Sequence, residues 1–181
     1  MVKKSVACHH FPFHDGISPA RIVMLTNVGP GNYIFSDSKE PEVGTRDLLH
    51  MTVADFNGDG HLDVGAVAEF KLEVSDDVVH ISGDGAGNWV NRAGAQKDVA
   101  FSRIYSEDMD QDGDQDMIVV HSKGVHIYSN RGDGWQRPGI DMRTFRGGTC
   151  NDIALGDFNG DGFTDMLQAT DHGTYLLPNN P

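Results

Sequence analysis

Apolar residues along this chain come in short runs rather than in helical stripes. ARIVMLT (20–26), DMIVVHS (116–122) and VHIYS (125–129) are rich in β-branched and aromatic residues and end in Gly, Asp and Asn clusters. No long stretch keeps apolar residues at i, i+3, i+4 and i+7. The pattern predicts many short strands and little helix. Between strands stand three glycine-rich turns, each ending in an aromatic: LTNVGPGNY (25–33), ISGDGAGNW (81–89) and YSNRGDGW (128–135). Gly, Asn and Asp supply the positive φ that tight hairpins need. The tail LLPNNP (176–181) reads as a truncated fourth copy.

A second feature alternates with these hairpins. ADFNGDGHLD (54–63), EDMDQDGDQD (107–116) and GDFNGDGFTD (156–165) are built to one plan, with first aspartates at 55, 108 and 157. Each unit therefore reads as strand, acidic loop, strand, strand, hairpin turn, strand. About four strands in about 50 residues, repeated, is the pattern of a β-propeller blade. The expected fold is an all-β propeller of four-stranded antiparallel blades, with about four blades in one domain spanning 1–181. An irregular first unit (1–46) has the hairpin but no acidic loop. Two full blades follow (47–97 and 98–146), and a last one (147–181) stops at its third strand. Either the end units meet or a second chain completes them, so a homodimer is an open alternative.

The loops follow D-Φ-[DN]-x-D-G-x-x-D. Side-chain oxygens at positions 1, 3, 5 and 9, a carbonyl at 7 and a glycine at 6 make a hard oxygen cage. That suits Ca²⁺, whereas zinc or copper would call for His or Cys. The candidate ligands of the first loop are Asp55, Asn57, Asp59 and Asp63 with the carbonyl of His61. Those of the second are Asp108, Asp110, Asp112 and Asp116 with the carbonyl of Asp114. Those of the third are Asp157, Asn159, Asp161 and Asp165 with the carbonyl of Phe163. The sixth-position glycines are Gly60, Gly113 and Gly162. The second-position residues Phe56, Met109 and Phe158 are expected to pack inward. An EF-hand is rejected, because its twelfth position needs Glu and here holds Ala66, Val119 and Gln168.

These loops resemble the calcium loops of FG-GAP repeats, also called VCBS repeats, found in integrin α-subunit propellers and many bacterial surface proteins. The hairpin SNRGDGW is similar to that family's second landmark. The resemblance covers 47–181 and reaches the first 46 residues only through their hairpin. It implies a propeller with about three Ca²⁺ ions per chain, each in the loop between the first two strands of a blade and mainly structural. It also implies a non-catalytic protein-binding or adhesion module at an extracellular or cell-surface location. A calcium-dependent lectin and an enzyme or enzyme accessory domain remain as rival classes.

Composition narrows the partners. The formal net charge is −13, and an acidic surface repels phosphate backbones, so nucleic acid is not expected. Three bound divalent cations would bring that charge to −7, so much of the acidity belongs to the loops. No run of 18 apolar residues exists, which argues against membrane insertion by a helix, and MVKKSVACHHFPF lacks the apolar run of a signal peptide. Cys8 and Cys150 could form one bridge, although two unpaired thiols are preferred.

Several features have plainer readings. Arg131-Gly132-Asp133 spells RGD, but the hairpin needs Gly and Asp there anyway. Cys8, His9, His10 and His14 lack the paired spacing of a zinc site. Two catalytic carboxylates could stand among Glu69, Glu73, Asp76 and Asp77 in AEFKLEVSDDVVH (68–80), where a charged loop is the simpler reading. Trp89 and Trp135 could stack on a sugar, but a repeated aromatic is more simply packing between blades. No G-x-S-x-G elbow, HExxH or phosphate-cradling glycine loop appears, and no enzyme is expected.

Overall fold

The computed structural model describes residues 4–9, 21–30, 32–35, 46–70, 76–97, 101–132, 135, 140–143 and 148–180. These form fourteen strands and, among the described residues, no helix. β1 (Lys4–His9), β2 (Arg21–Gly29) and β3 (Asn32–Phe35) make a three-stranded sheet. β4 (Arg46–Ala54), β5 (Asp63–Phe70), β6 (Asp76–Gly83) and β7 (Trp89–Lys97) make a four-stranded one. β8 (Phe101–Glu107), β9 (Asp116–His121), β10 (Gly124–Tyr128) and β11 (Ile140–Arg143) make a second four-stranded sheet. β12 (Cys150–Gly156), β13 (Asp165–Thr170) and β14 (Gly173–Leu177) close the series with three. All pairings are antiparallel between strands adjacent in sequence.

The chain is therefore all-β, a run of four separate antiparallel meanders. The first sheet carries the hairpin without an acidic loop, and the other three each place one loop between their first two strands. Short apolar runs between Gly- and Asp-rich turns leave each segment enough length for one strand and no more. The repeat extends to a feature the sequence does not announce. Register shifts fall at Leu48/His50 in β4, Phe101/Arg103 in β8 and Cys150/Asp152 in β12. Each bulged residue stands six positions before the first aspartate of its loop.

The core lies between consecutive sheets. Ala54, Phe56, Val67 and Val78 of the second sheet pack with Ile104, Met117, Val119 and Tyr128 of the third. From the opposite face of β9 and β10, Ile118, Val120, Val125 and Ile127 pack with Cys150, Ile153 and Met166 of the fourth. Alternate residues of β9 thus serve two interfaces, which is why DMIVVH is an unbroken buried run rather than an in–out alternation. Val64, Ala68, Val79 and Ile81 form a third cluster on the far face of the second sheet. At Gly65 an added Cβ would come within 3.1 Å of Met117 Cε and 3.3 Å of Phe56, so the absence of a side chain there lets these two residues pack closely across the junction.

One expectation changes. Phe56 is buried at 3% exposure and Met109 packs on the second cluster, but Phe158 is 50% exposed. Phe56 is covered by Trp135 of the following sheet, and no described residue covers Phe158 in that way. Cys150 is a free, buried thiol, in line with the preferred reading of unpaired cysteines. Gln168, one of the positions that exclude an EF-hand, is fully buried, with its Oε1 unpartnered among the described residues. His10, His14, Asp133 and the 71–75 connector with Glu73 lie outside the described residues, as do the side chains of Cys8, His9, Glu69, Asp76 and Asp77.

Candidate metal loops and the contacts between sheets

Each acidic loop is coiled around its own carboxylates. In the first, Asp55 accepts the N–H groups of Asp59 (3.2 Å) and Gly60 (2.8 Å), Asn57 Oδ1 accepts from Asp59 (2.9 Å), and Asp59 accepts from His61 (2.8 Å). In the second, Asp108 accepts from Asp112 (3.2 Å) and Gly113 (3.0 Å), and Asp112 accepts from Asp114 (3.0 Å). The third repeats the scheme. Asp157 accepts from Gly160 (2.7 Å), Asp161 (3.2 Å) and Gly162 (3.0 Å), Asn159 Oδ1 from Asp161 (2.8 Å), and Asp161 from Phe163 (2.9 Å).

The coil needs left-handed backbone at two places. The sixth-position glycines Gly60, Gly113 and Gly162 take φ of 84°, 97° and 89°, as the turn argument requires. The fourth position does so too, through Gly58, Gln111 and Gly160 at 71°, 58° and 80°. Gln111 is the one non-glycine in that region among the described residues. Its Nε2 donates to Gly162 O at 2.6 Å, tying the second loop to the third.

The ninth-position aspartates Asp63, Asp116 and Asp165 are wholly buried, and each ties its loop to its sheet. Their Oδ1 atoms accept N–H groups just past or at the end of the third strand: Gly83 (2.8 Å), Asn130 (2.8 Å) and Asn179 (2.9 Å). The Oδ2 atoms of Asp116 and Asp165 accept from Met109 (2.9 Å) and Phe158 (3.0 Å), and that of Asp63 meets His80 Nε2 at 3.1 Å. Sequence reasoning assigned these residues a ligand role only.

The second loop brings Asp108, Asp110 and Asp116 together, with one oxygen of each within 4.8 Å of the others. Burial, first, and then the Asp112 and Asp108 charges push the Asp110 carboxyl up. Burial lifts Asp116 to about 6 against the N–H groups of Asn130 and Met109, with the Asp110 and Asp112 charges adding to the rise. Carboxylates raised in this way sit where positive charge is lacking, and a divalent cation would supply it. The donors are all hard oxygens, so the residues present fit Ca²⁺.

Between sheets a second repeated device appears, one that spacing did not reveal. Asn130 Nδ2 donates back to Phe56 O in the preceding loop at 2.6 Å, and to Gln115 O at 3.2 Å. Asn179 Nδ2 does the same to Met109 O at 2.7 Å. Trp135 meets Phe56 and His80 edge-on, with centroids 5.5 Å apart in both pairs, so it packs across the junction. Trp89 packs on the cluster at the far face of its own sheet. The first strands are tied as well. His50 Nδ1 lies 3.1 Å from Ile104 O, Thr52 and Ser106 hydroxyls are 3.0 Å apart, and the Tyr105 hydroxyl donates to Asp152, which Arg103 Nε approaches to 3.3 Å. Burial and the Asp152 charge raise the Tyr105 hydroxyl to about 12. Burial opposes the charge on Asp152, but Tyr105, the Ile153 N–H and Arg103 hold its carboxyl below the usual range. Arg131 and Gly132 of the RGD are exposed.

A family model described as FG-GAP-like repeat matches residues 108–167, from the first aspartate of the second loop to just past the last of the third. Residues 108–167 are therefore similar to an FG-GAP-like repeat. No curated protein sequence matches the chain. The matched stretch spans one loop-to-loop period, and the first loop, outside the match, is coiled by the same first- and fifth-position hydrogen bonds.

Proposed function

We propose that the chain is a calcium-stabilised, non-catalytic module of β-propeller type that binds a macromolecular partner. The observation that carries this reading is the cluster of Asp108, Asp110 and Asp116 oxygens in a loop whose coil is repeated twice more. Calcium in the second loop would be held by Asp108, Asp110, Asp112 and Asp116 with the carbonyl of Asp114. The first loop would use Asp55, Asn57, Asp59, Asp63 and the carbonyl of His61, and the third Asp157, Asn159, Asp161, Asp165 and the carbonyl of Phe163. A bound divalent ion relieves carboxylate repulsion and so favours the folded state. The radial arrangement of a propeller is supported by first strands that adjoin across units and by the repeated junctions between consecutive sheets.

A protein partner is preferred to a sugar because both tryptophans are partly buried in packing between or within sheets, which reduces the indole surface on which a pyranose would stack. Calcium dependence tests the metal half of the proposal. Equilibrium dialysis is expected to return close to three calcium ions per chain. Asp112→Ala is expected to lower the melting temperature in calcium and to leave it unchanged in chelator. An equal loss in both conditions refutes the metal role.

A further inference from the structure

The three acidic loops are unequally connected. Gln111, at the fourth position of the second loop, donates from Nε2 to Gly162 O, the sixth-position carbonyl of the third, at 2.6 Å. Thr164 Oγ1, beside the ninth-position Asp165, donates to Glu107 Oε1, beside the first-position Asp108, at 3.2 Å. Asn179 bridges the same two loops, with its N–H on Asp165 Oδ1 and its Nδ2 on Met109 O.

Between the first and second loops the corresponding places are filled otherwise. Gly58 stands where Gln111 does, and Ala54 and Gln115 stand where Glu107 and Thr164 do. Gly58 has no side chain to donate and Ala54 none to accept, so neither direct bond can form there. Of the three ties, the asparagine alone is repeated, as Asn130. The fourth position takes left-handed backbone in every loop, with φ of 71° at Gly58, 58° at Gln111 and 80° at Gly160. Glycine adopts that backbone at least cost, yet the second loop does without it. The side chain held at this strained position is the one that reaches the third loop.

The Gln111 bond acts on the backbone that an ion would order. Gln111 lies between Asp110 and Asp112, two candidate ligands of the second loop. In the third, the Gly162 N–H donates to Asp157 at 3.0 Å, and the Phe163 N–H of the next peptide donates to Asp161 at 2.9 Å. Fixing Gly162 O therefore fixes the peptide between those two bonds, and with it the setting of Asp157 and Asp161. We propose that the second and third loops take up calcium as a coupled pair, with Gln111 as the positioning residue between them, and that the first loop stands outside the pair. The coupling rests on the calcium reading given above. Ordering one loop lowers the cost of ordering its neighbour, and by linkage the effect is equal in both directions.

Calcium titration of the full chain, followed by the backbone N–H resonances of Gly60, Gly113 and Gly162, reads the three loops separately. Asp161→Ala disables the third loop. It is expected to raise the calcium midpoint at Gly113 about fivefold or more, the lower end of ordinary coupling between sites, and to leave the midpoint at Gly60 in place. Gln111→Gly suits the backbone already adopted there, and in that background Asp161→Ala is expected to shift Gly113 severalfold less. Circular dichroism checks that each variant is folded, and Asp161→Asn, which keeps an acceptor for the Phe163 N–H, replaces Asp161→Ala if that variant is not. A Gly113 midpoint indifferent to the loss of the third loop overturns the coupling and leaves calcium binding standing. A full-sized shift in Gln111→Gly, or equal shifts at Gly113 and Gly60, overturns it too. Calcium that moves none of the three resonances overturns the calcium reading and the coupling together.

Discussion

At the scale of single residues, the ninth-position aspartate does two jobs with one carboxylate. Asp116 is wholly buried and accepts two backbone N–H groups, and it also lies within reach of Asp108 and Asp110. Its folded pKa of about 6 stands above the ordinary carboxylate value, so the metal-free folded state holds that proton more tightly than the unfolded chain does. The stability this contributes is present below the unfolded pKa and is lost as pH rises through about 6. In chelator the protein is therefore expected to melt at a higher temperature at pH 5 than at pH 7.5. Saturating calcium is expected to shrink or invert that difference, because the ion needs the ionised form. Thermal melts at the two pH values, with and without calcium, check it; a metal-free melting temperature that rises with pH would count against the burial argument.

Among elements, the asparagine at the end of the third strand links one unit to the loop before it. Asn130 is buried, and its amide satisfies the backbone carbonyls of Phe56 and Gln115 while its Oδ1 accepts from Gly132. Asn130→Ala leaves those carbonyls without their donor, which costs about 1–3 kcal/mol for a buried group. A drop of about 2–4 °C per kcal/mol is expected in a chain of this size. The backbone N–H to Asp116 survives the substitution, so the loop keeps its own anchor and calcium stoichiometry is expected to stay the same. An unchanged melting temperature would show that the junction rests on Phe56 and Trp135 packing alone. The loop elements themselves were legible in the sequence because their hydrogen bonds are local: each carboxylate accepts N–H groups two to five residues on. The asparagines were not legible, since Asn in a hairpin turn is expected for turn reasons and its long-range bond leaves no spacing signature.

For the whole molecule, the second, third and fourth meanders stack through apolar faces in chain order, so stability and any partner surface are shared between these units. The tryptophans illustrate the consequence. Trp135 is committed to the junction with Phe56 and His80, and Trp89 to the cluster of Val64 and Ile81. A glycan array in calcium is accordingly expected to be blank with folded protein. Calcium-dependent binding to a sugar family would replace the protein-partner reading with a lectin.

By itself the sequence determined the all-β class, the strand–loop–strand–strand–hairpin order and the three coiled acidic loops, because those follow from apolar run length, turn chemistry and hydrogen bonds between near neighbours. Tertiary structure alone decided the rest. The burial of Phe56 against the exposure of Phe158 depends on whether another sheet follows, and identical local sequences, DFNGDG, cannot encode that difference. The anchoring of Asp63, Asp116 and Asp165 to N–H groups 14 to 20 residues away arises only when each meander folds back on its own loop, and the reach of Asn130 to Phe56 O and Asn179 to Met109 O only when sheets stack and bring distant backbone into contact.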